Sequence, residues 1–504
     1  MKFSKLTLAI AAALGASLSS QAFAIDLYVD KKTKQIYAEP GSHRERMGSF
    51  ERVEDQPQKH EDSTSSNKNE TEAEIKGIKE DLEYKTNELK ALEEHVVYNR
   101  EEKSKNDEKW FNKINLRGYT QLRYNQPLSG DSGAAASKNS PELRSPGDSG
   151  IKDNGNFSFR RVRLVFSGDI NDYLYLYIQP DFASSVSDTQ QNFAQLRDAY
   201  GDLSFDKKHE YRIRAGQSKV PFSWENLQSS QNRLALDRAD AINSAVPSER
   251  DLGLFAYWTP EPVQKLWKSM SKKGLKTSGD YGILGVGVYN GQGLNRAEVN
   301  DDMYFVAHST YPLELNFLGY PFTGQVLEVG ADYMNGKFNT TTGDIKPFGG
   351  TKTILKTDLD KTFTPYGQKE ERVAVHAILF PQPFGLQAEW NWGTSPTLNT
   401  EGKGSIRGES LGGGYVQAMY KIDNVFREDG SLMPYVKWQT YNGAYKGATN
   451  APRSRVDEWE VGVEYQIMKA IEVTMAYSDM KRTNNSNLGL ASGDLLRMQL
   501  QWNY

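Results

Sequence analysis

The sequence predicts an all-β fold, a sixteen-stranded antiparallel transmembrane β-barrel with an N-terminal helical or coiled-coil extension. Three observations predict it. The last segment alternates strictly between apolar and polar residues, the first segment has the pattern of an export signal, and the same alternation recurs from Trp110 to Tyr504 without a long helical period. A period of two indicates strands with one apolar and one polar face.

The C-terminal segment is the clearest of these strands. Leu496, Met498, Leu500, Trp502 and Tyr504 are apolar or aromatic, and Arg497, Gln499, Gln501 and Asn503 between them are polar. A half-buried strand of a soluble protein is the alternative, but a closed barrel in lipid would use this segment as its last strand, with Trp502 and Tyr504 in the interfacial girdle. The segment also resembles the C-terminal signal of bacterial outer-membrane proteins, which implies the barrel-assembly machinery as a partner.

Residues 1–24 have the features of a cleaved signal peptide. Lys2 and Lys5 precede an apolar run over 6–18, and Ala22-Phe23-Ala24 provides the small residues of a cleavage site. The run is shorter than the ~20 residues that a membrane-spanning helix needs. We therefore expect export and a location in the cell outer membrane of a Gram-negative bacterium, in contact with its lipids.

Composition narrows the class of protein further. Hydrophobic residues make up 38% of the chain and charged residues 25%, which excludes a helical membrane protein but suits a barrel with a polar lumen. The formal net charge of −4 gives no reason to expect a nucleic-acid partner. The chain has no cysteine, so disulfides, a lipid anchor on cysteine and thiolate chemistry are excluded.

Residues 25–109 precede the predicted barrel. Within 25–69 we predict a small periplasmic hairpin, formed by β-prone runs on either side of the charged residues 30–34, and then a polar linker. Residues 70–109 lack proline and contain one glycine, which favours a helix. Apolar residues fall on its heptad a and d positions: Ile75, Ile78, Leu82, Leu89, Leu92 and Val96. A short coiled coil, which would support a homotrimer, and a single amphipathic helix lying on the barrel both remain open.

The barrel segment, 110–504, contains sixteen alternating stretches of about ten residues, as tilted membrane strands require. We predict strands near 114–125, 157–169, 172–182, 196–206, 210–221, 250–259, 281–290, 303–313, 325–338, 370–380, 386–394, 411–422, 432–442, 457–468, 471–481 and 495–504. Short turns alternate with long loops at 127–156, 222–249, 339–369 and 395–410. The connection at 261–280 breaks this rule, because it is long where a short periplasmic turn is expected.

A family resemblance appears in the middle of the chain. The run Gly216-Gln217-Ser218-Lys219-Val220-Pro221-Phe222, continuing to Ser230, resembles the entry to the third loop of the phosphate-selective porin O/P family. Residues 159–164, 174–182, 236–238 and 248–253 extend this resemblance, which covers about 110–504. It implies a trimeric sixteen-stranded outer-membrane channel whose third loop narrows the pore. Some members of the family prefer phosphate through arginines and lysines.

Alternation also predicts which charged side chains face the lumen. On the first, second and fifth barrel strands it places six arginines inside: Arg117, Arg123, Arg161, Arg163, Arg212 and Arg214. Guanidinium groups bind phosphate through a planar fork, so these are candidate anion-binding residues, unless carboxylates of the third loop pair with them. Lys219 and Arg250 have outward parity and are included on the family resemblance, as are Arg233 and Arg238 of the third loop.

The later strands predict an acidic wall opposite. Its members are Glu328, Asp332, Glu389, Glu458, Glu460, Glu464 and Glu472, together with Glu225 in the third loop. Opposed charged walls create a transverse field that separates cation and anion paths. No strand carries more than two alternating arginines, which departs from the ladder of the selective family members. Phosphate specificity is therefore left open.

The function expected from these features is passive diffusion of small hydrophilic solutes and ions, with an anion- or phosphate-preferring pore as the sharper version. The alternative is a structural anchor that tethers the periplasmic extension to the outer membrane. Signals for an enzyme are weak, because the six histidines are scattered without metal-ligand spacing and no nucleophile motif is present. We expect no cofactor and no metal.

Overall fold

The computed structural model of the protein describes residues 25–30, 36–37, 44–50, 68–107, 109–131, 141–184, 192–362 and 366–504. The predicted signal peptide and most of the predicted linker lie outside these ranges. The chain divides into two compact units, Met1–Tyr98 and Asn99–Tyr504. None of the described helices is long and apolar enough to cross a membrane.

The N-terminal unit contains a small antiparallel sheet with the strand order β2-β1-β3. Strand β1 is Ile25–Asp30, β2 is Ile36–Tyr37 and β3 is Arg44–Phe50. The first two pair as a hairpin, in which Tyr28 faces Tyr37. The third strand was not expected from the sequence. Helix α1 follows over Lys68–Asp107, and its association into a coiled coil stays a prediction.

The second unit is a closed barrel in which each strand pairs with its neighbours in sequence. The barrel contains the seventeen strand segments β4 to β20. Because β16 is a two-residue continuation of β15, these segments form sixteen barrel strands. The bounds are β4 Asn115–Gly130, β5 Asn156–Asp169, β6 Leu174–Ser184, β7 Phe193–Ser204, β8 Tyr211–Lys219, β9 Arg250–Trp258, β10 Leu284–Tyr289, β11 Tyr304–Glu314, β12 Val326–Phe338, β13 Gln368–Leu379, β14 Phe384–Asn399, β15 Ser405–Tyr420, β16 Ile422–Asp423, β17 Ser431–Ala444, β18 Arg453–Met468, β19 Ile471–Thr483 and β20 Leu490–Asn503.

The C-terminal strand closes the barrel, as its alternation predicts. Strand β20 pairs with β4, with Gln501 opposite Gln121. The pairing continues to the last residue, because the backbone N–H and C=O of Tyr504 both bond to Gly118, at 2.9 and 2.6 Å. Closure leaves no unpaired edge, which is the condition for strands in a bilayer.

Alternation in the barrel strands divides lipid-facing from luminal residues. On β10 the side chains of Leu284, Val286 and Val288 are exposed on the outside, whereas Tyr289 is buried inside. The same pattern on β20 turns Arg497 inward. The outer surface is thus apolar and the inner surface polar, as a membrane barrel requires.

The connections differ from the prediction in one place. The loop expected over 395–410 is mostly strand, because β14 and β15 continue as a paired hairpin to Asn399 and Ser405. The 339–369 loop contains a short helix, α5, at Lys356–Asp360. The 222–249 loop contains the short helices α2 (Trp224–Leu227) and α3 (Asp240–Asn243).

Two inserted segments fill part of the lumen. The inner loop, residues 220–249, packs Val220, Phe222 and Val246 against buried side chains of β9 to β13. The strap, residues 261–280, explains the unusually long connection: it begins with helix α4 (Glu261–Lys272), whose Trp267 packs with Trp224 of the inner loop. These apolar contacts lie along the β9–β13 side, and residues 234–242 of the inner loop make further apolar contacts with β15, β17 and β18.

Candidate functional site

The predicted luminal arginines of β4, β5 and β8 turn inward, but most of them are paired. Arg163 donates to Asp181 at 2.7 Å, and Arg214 donates to Asp202 at 2.7 Å. Arg212 binds Asp280 of the strap at 2.6 Å. These bidentate or charge-assisted contacts fix each guanidinium in the wall and reduce its field in the pore.

Arg123 and Arg117, two further members of the predicted basic set, lie in different environments. Arg123 is fully buried and donates to Asp148 at 2.7 Å and to Asp237 at 3.1 Å. Arg117 lies near the start of β4, where its guanidinium is 6.0 Å from the ring centre of Tyr177. Arg123 is thus neutralised, whereas Arg117 is exposed and lines a cavity together with inner-loop residues 229–232.

Lys219 and Arg250 face inward, against the parity expected from Tyr211. The alternation of β8 fails after Gly216, whose φ of 123° is open to glycine but strained for other residues. The Lys219 ammonium donates to the carbonyls of Asn226, Leu227 and Gln228 at 2.7–3.1 Å. It thus holds the inner loop. Arg250 donates to Asp198 at 2.9 Å.

Glu249, at the end of the inner loop, joins several of these cations. It lies 2.7 Å from Arg238, 2.7 Å from Arg250 and 3.6 Å from Lys219. Burial alone would raise the pKa of Glu249, but the three cations outweigh burial and hold that pKa well below its usual range. The carboxylate therefore stays charged and neutralises part of the basic wall.

Arg161 and Arg233 differ from the other buried members of the predicted basic set. Both are buried, and among the described residues neither forms an ion pair with a carboxylate. Arg161 donates from Nη1 to the Gln121 side chain at 2.7 Å, while its Nε has no hydrogen-bond partner. Nε and Nη2 of Arg233 also lack partners. Unsatisfied buried donors of this kind require an acceptor from solvent or solute.

These two arginines line a cavity of about 430 Å³ on one side of the inner loop. Its wall contains seven arginines and three carboxylates, a formal excess of four positive charges. The arginines are Arg160, Arg161, Arg163, Arg197, Arg233, Arg238 and Arg296. We call these seven residues the arginine cluster; with the three carboxylates they give this cavity a positive formal charge.

Arg160 was missed by the sequence analysis for a structural reason. The pairing of β4 with β5 shifts between Gln121 and Leu122, so that Leu122 faces Phe159 and Gln121 faces Arg161. Arg160 is the extra residue of this β-bulge, and it lines the cavity together with Arg161. A bulge places two consecutive side chains on one face, which simple alternation does not anticipate.

The acidic wall faces inward as well, and most of it is neutralised. Glu225 pairs with Lys437 at 2.5 Å, and Glu458 pairs with Arg482 at 2.5 Å. Glu460 lies 3.2 Å from Arg497. These three partners and Arg372, bound to Glu370, were not predicted as site residues. The alternation rule places all of them in the lumen, so applying it to every strand would have found them.

Glu464 and Glu472 bind the strap. Lys276 lies 2.6 Å from Glu464 and 3.8 Å from Glu472. The burial of Lys276 by itself would lower its pKa, but the two carboxylates raise the pKa above its usual value. The backbone carbonyl of Lys276 also accepts from Gln228 of the inner loop at 2.9 Å. The strap therefore reaches from β9 to the wall formed by β18 and β19.

Glu328, Asp332 and Glu389 have no lysine or arginine partner within the described ranges of the chain, and all three are buried. Glu389 accepts from the backbone N–H groups of Trp224 and Glu225 at 2.8 and 3.0 Å. Asp332 accepts from the N–H of Ser223 at 2.9 Å. This carboxylate cluster anchors the inner loop, which covers it.

Further cavities border the inner loop, and one of about 1060 Å³ is lined by Gln231, Asn232 and strap residues 271–276. A second cavity of about 430 Å³ contains residues of the short turns, Asp169 and His209, and Arg163 lines both cavities. Inner-loop residues 229–232 border this second cavity, and residues 233–249 border the first. Arg163 therefore lies between these two cavities, beside the inner loop.

A closed sixteen-stranded barrel with a loop folded into a charged lumen defines the protein as a porin, a channel for passive diffusion of small hydrophilic solutes and ions. The chain belongs to the phosphate-selective porin O and P family, whose sequence profile matches residues 142–504. Membership in this family places the protein in the outer membrane of a Gram-negative bacterium.

Solved structures of other porins are similar to the barrel. The outer-membrane channel DcaP of Acinetobacter baumannii is 15% identical, with 78% of this chain and 97% of that chain covered and a TM-score of 0.45. OmpF of Salmonella typhi is 14% identical over 78% and 97% of the two chains, with a TM-score of 0.48. An anion-selective porin from Comamonas acidovorans is 10% identical over 78% and 99%, with a TM-score of 0.43. A comparison with curated protein sequences found no significant match.

Proposed function

We propose that this porin prefers anions, and that Arg161 and Arg233 provide the anion contact at the inner loop. The single observation that carries the proposal is that both guanidinium groups are buried at a cavity without a carboxylate partner among the described residues. Most other basic residues of the wall have a carboxylate within 4.0 Å. A small anion that enters this cavity satisfies donors that the protein leaves open.

The second support is the asymmetry of the lumen. The carboxylates that lack cationic partners, Glu328, Asp332 and Glu389, contact the inner loop, and two of them accept its backbone N–H groups. A permeating ion thus meets the arginine cluster more directly than the carboxylate cluster. The formal charge around the arginine-cluster cavity is positive, even though the chain as a whole is formally negative.

Planar-bilayer recording of the purified protein in a KCl gradient tests the preference. We expect a zero-current potential of anion sign. A potential of cation sign would contradict the proposal and leave only general diffusion. Phosphate added to the same bilayer should reduce the chloride current if it binds the arginine cluster. Unchanged chloride current would restrict the proposal to anion preference without a phosphate site.

We further propose that the protein is a homotrimer in which α1 forms a coiled coil in the periplasm. The six apolar a and d residues of α1, from Ile75 to Val96, are 50–67% exposed in the single chain. A heptad stripe of this kind, which Lys85 interrupts once, is stabilised by pairing with copies of itself. The export signal at 1–24 and recognition of β20 by the barrel-assembly machinery belong to the same proposal.

Light scattering of the full chain in detergent tests the trimer, and the variant Leu82→Asp with Leu89→Asp tests the coiled coil. We expect light scattering to show a trimer for the wild type. For the variant we expect either dissociation of the trimer or loss of cross-links between α1 helices. Lys79→Asp, an exposed residue on the same helix, is the control. A variant that keeps α1 cross-linking would contradict the coiled coil, and a monomeric wild type would contradict the trimer.

A further inference from the structure

Four neighbouring strands bring two histidines and two carboxylates together beneath the inner loop. The strand register places His308 of β11 opposite Asp332 of β12, and His376 of β13 opposite Glu389 of β14. One candidate ligand atom from each of Asp332, His376 and Glu389 lies within 4.8 Å of the other two. The sequence spacing of the histidines did not indicate this site, because each ligand comes from a different strand.

The hydrogen bonds of His376 leave one ring nitrogen free for a ligand. The hydroxyl of Thr310 donates to Glu328 at 3.1 Å, so this hydroxyl accepts from Nε2–H of His376 at 2.9 Å. Nδ1 of the neutral ring then carries a lone pair. Nδ1 has no hydrogen-bond partner in the described part of the chain, the side chain is 4% exposed, and Oδ2 of Asp332 is 4.0 Å away.

This arrangement is the one that metal-binding histidines require. A histidine ligand donates its second N–H to an outer acceptor, which fixes the ring and selects the tautomer. Here the Thr310 hydroxyl is that outer acceptor, and it donates in turn to the Glu328 carboxylate. His308 similarly donates to Oδ1 of Asp332 at 2.5 Å and orients that carboxylate.

The two carboxylates also retain free lone pairs. Oε1 of Glu389 accepts from the Ser223 hydroxyl and the Trp224 N–H, whereas Oε2, among the described residues, accepts only from the Glu225 N–H. Within the same described ranges, Oδ2 of Asp332 accepts only from the Ser223 N–H. Since a carboxylate oxygen has two lone pairs, one oxygen of each residue can still bind a cation.

Charge gives an independent reason for a cation at this position. Glu328, Asp332 and Glu389 are at most 2% exposed, and no lysine or arginine pairs with them among the described residues. Buried carboxylates require a compensating positive charge or proton, because desolvation of the isolated anion is costly. The other luminal carboxylates of the predicted acidic wall have such partners in the protein itself.

We propose that Asp332, His376 and Glu389 bind a divalent transition-metal ion, of the class represented by Zn²⁺, between the barrel wall and the inner loop. One imidazole and two carboxylates suit zinc, whereas Ca²⁺ and Mg²⁺ prefer oxygen ligands alone. Metal–ligand bonds of about 2.1 Å separate neighbouring ligand atoms by roughly 3–4 Å, so small side-chain adjustments complete the site. The ion links the strands that anchor Ser223, Trp224 and Glu225, and so stabilises the position of the inner loop.

The test uses the full-length, tag-free protein in detergent, stripped with EDTA and then dialysed against Zn²⁺. Metal content per chain is measured by mass spectrometry, and melting temperature is measured with and without Zn²⁺. We expect the wild type to bind one more zinc ion per chain than His376→Gln. The melting temperature should rise with zinc in the wild type and not in this variant.

His209→Gln is the matched control, because His209 lies in a short turn and bonds to Ser204 at 2.7 Å. It should retain the zinc of the wild type. Equal zinc content in wild type and His376→Gln would overturn the proposal, as would binding of Ca²⁺ in preference to Zn²⁺. If His376→Gln does not fold, Co²⁺ substitution of the wild type decides. A visible absorption band of nitrogen- and oxygen-bound Co²⁺ supports the site, and its absence overturns it.

Discussion

The arginine cluster and the carboxylate cluster are two groups of uncompensated charge associated with the same inner loop, yet they differ in what they contact. Arg161 and Arg233 border a cavity of about 430 Å³ and keep unpartnered donors there. Asp332 and Glu389 accept backbone N–H groups of the loop itself. The sequence places both charges in the lumen. The fold of the inner loop determines which cluster can contact a solute and which cluster binds the loop backbone.

Charge reversal in the arginine cluster should have the largest effect, and this effect should be on ion selectivity. In Arg161→Glu with Arg233→Glu, we expect the zero-current potential in a KCl gradient to change to cation sign. Coulomb interactions at an intermediate dielectric make each reversed charge worth about 1 kcal/mol or more, roughly fivefold in the ion permeability ratio. Arg144→Glu, in an outer loop where Arg144 pairs with Asp153, is the control and should stay anion-preferring. A double variant with wild-type selectivity would remove the arginine cluster from the permeation path.

Removal of a loop anchor should have the next largest effect. Glu389→Ala deletes the acceptor of the Trp224 and Glu225 N–H groups. Hydrogen bonds to a charged group are worth about 1.5–3 kcal/mol, so we expect the free energy of unfolding to fall by about 3 kcal/mol. The released loop should also increase single-channel conductance and its fluctuations.

The matched control for this anchor is Glu401→Ala, an exposed residue in the turn between β14 and β15. Thermal unfolding and single-channel recording compare the two variants. If Glu389→Ala behaves like Glu401→Ala in both measurements, the carboxylate cluster does not hold the inner loop.

A substitution in the strap should have a smaller and more local effect on stability. Lys276→Ala removes the ion pairs with Glu464 and Glu472. We expect a loss of about 1–3 kcal/mol in the free energy of unfolding, because two buried carboxylates lose their cation. Conductance should rise modestly and anion preference should weaken. Lys273→Ala, an exposed neighbour on the same strap, should change neither quantity, and equal effects of the two variants would argue against the strap contact.

The smallest expected effect is that of mild acid. Glu249 has a pKa held well below its usual range by Arg238, Arg250 and Lys219, which outweigh burial. A depressed folded-state pKa contributes stability that is present above the unfolded value of about 4.3 and is lost only as pH falls through the folded value. Glu249 should therefore cause no change in ion selectivity or melting temperature from pH 7 to about pH 5. A large change of selectivity within that window would indicate that other carboxylates control the pore.

Much of the barrel was predictable because alternation is a local property. All sixteen predicted strands correspond to strands of the barrel, and the closing role of β20 followed from residues 496–504. The lumen-facing positions of Arg163, Arg214, Glu328 and Glu464 followed from the same rule. The rule failed where the backbone departs from regular pairing, at the bulge next to Arg160 and after Gly216.

The site itself was less predictable, because its charges are assigned by contacts between distant segments. Asp237 of the inner loop binds Arg123 of β4 and Arg497 of β20, and Asp240 binds Arg482 of β19. No local pattern indicates which acid meets which arginine. The metal-site candidate depends even more on tertiary structure, since His376 and Glu389 meet only through the register of β13 and β14.

The sequence by itself determined the fold class, the closure by β20 and which side chains face the lumen, because a strand in lipid must separate its two faces with a period of two. Only the tertiary structure decided which luminal charges remain available to a solute. The fold of the inner loop neutralises Arg123 and Lys219, covers Asp332 and Glu389, and leaves Arg161 and Arg233 open. Apart from the contacts of Lys219, which are local, that outcome rests on pairings between residues more than a hundred positions apart, for which the chain carries no local signal.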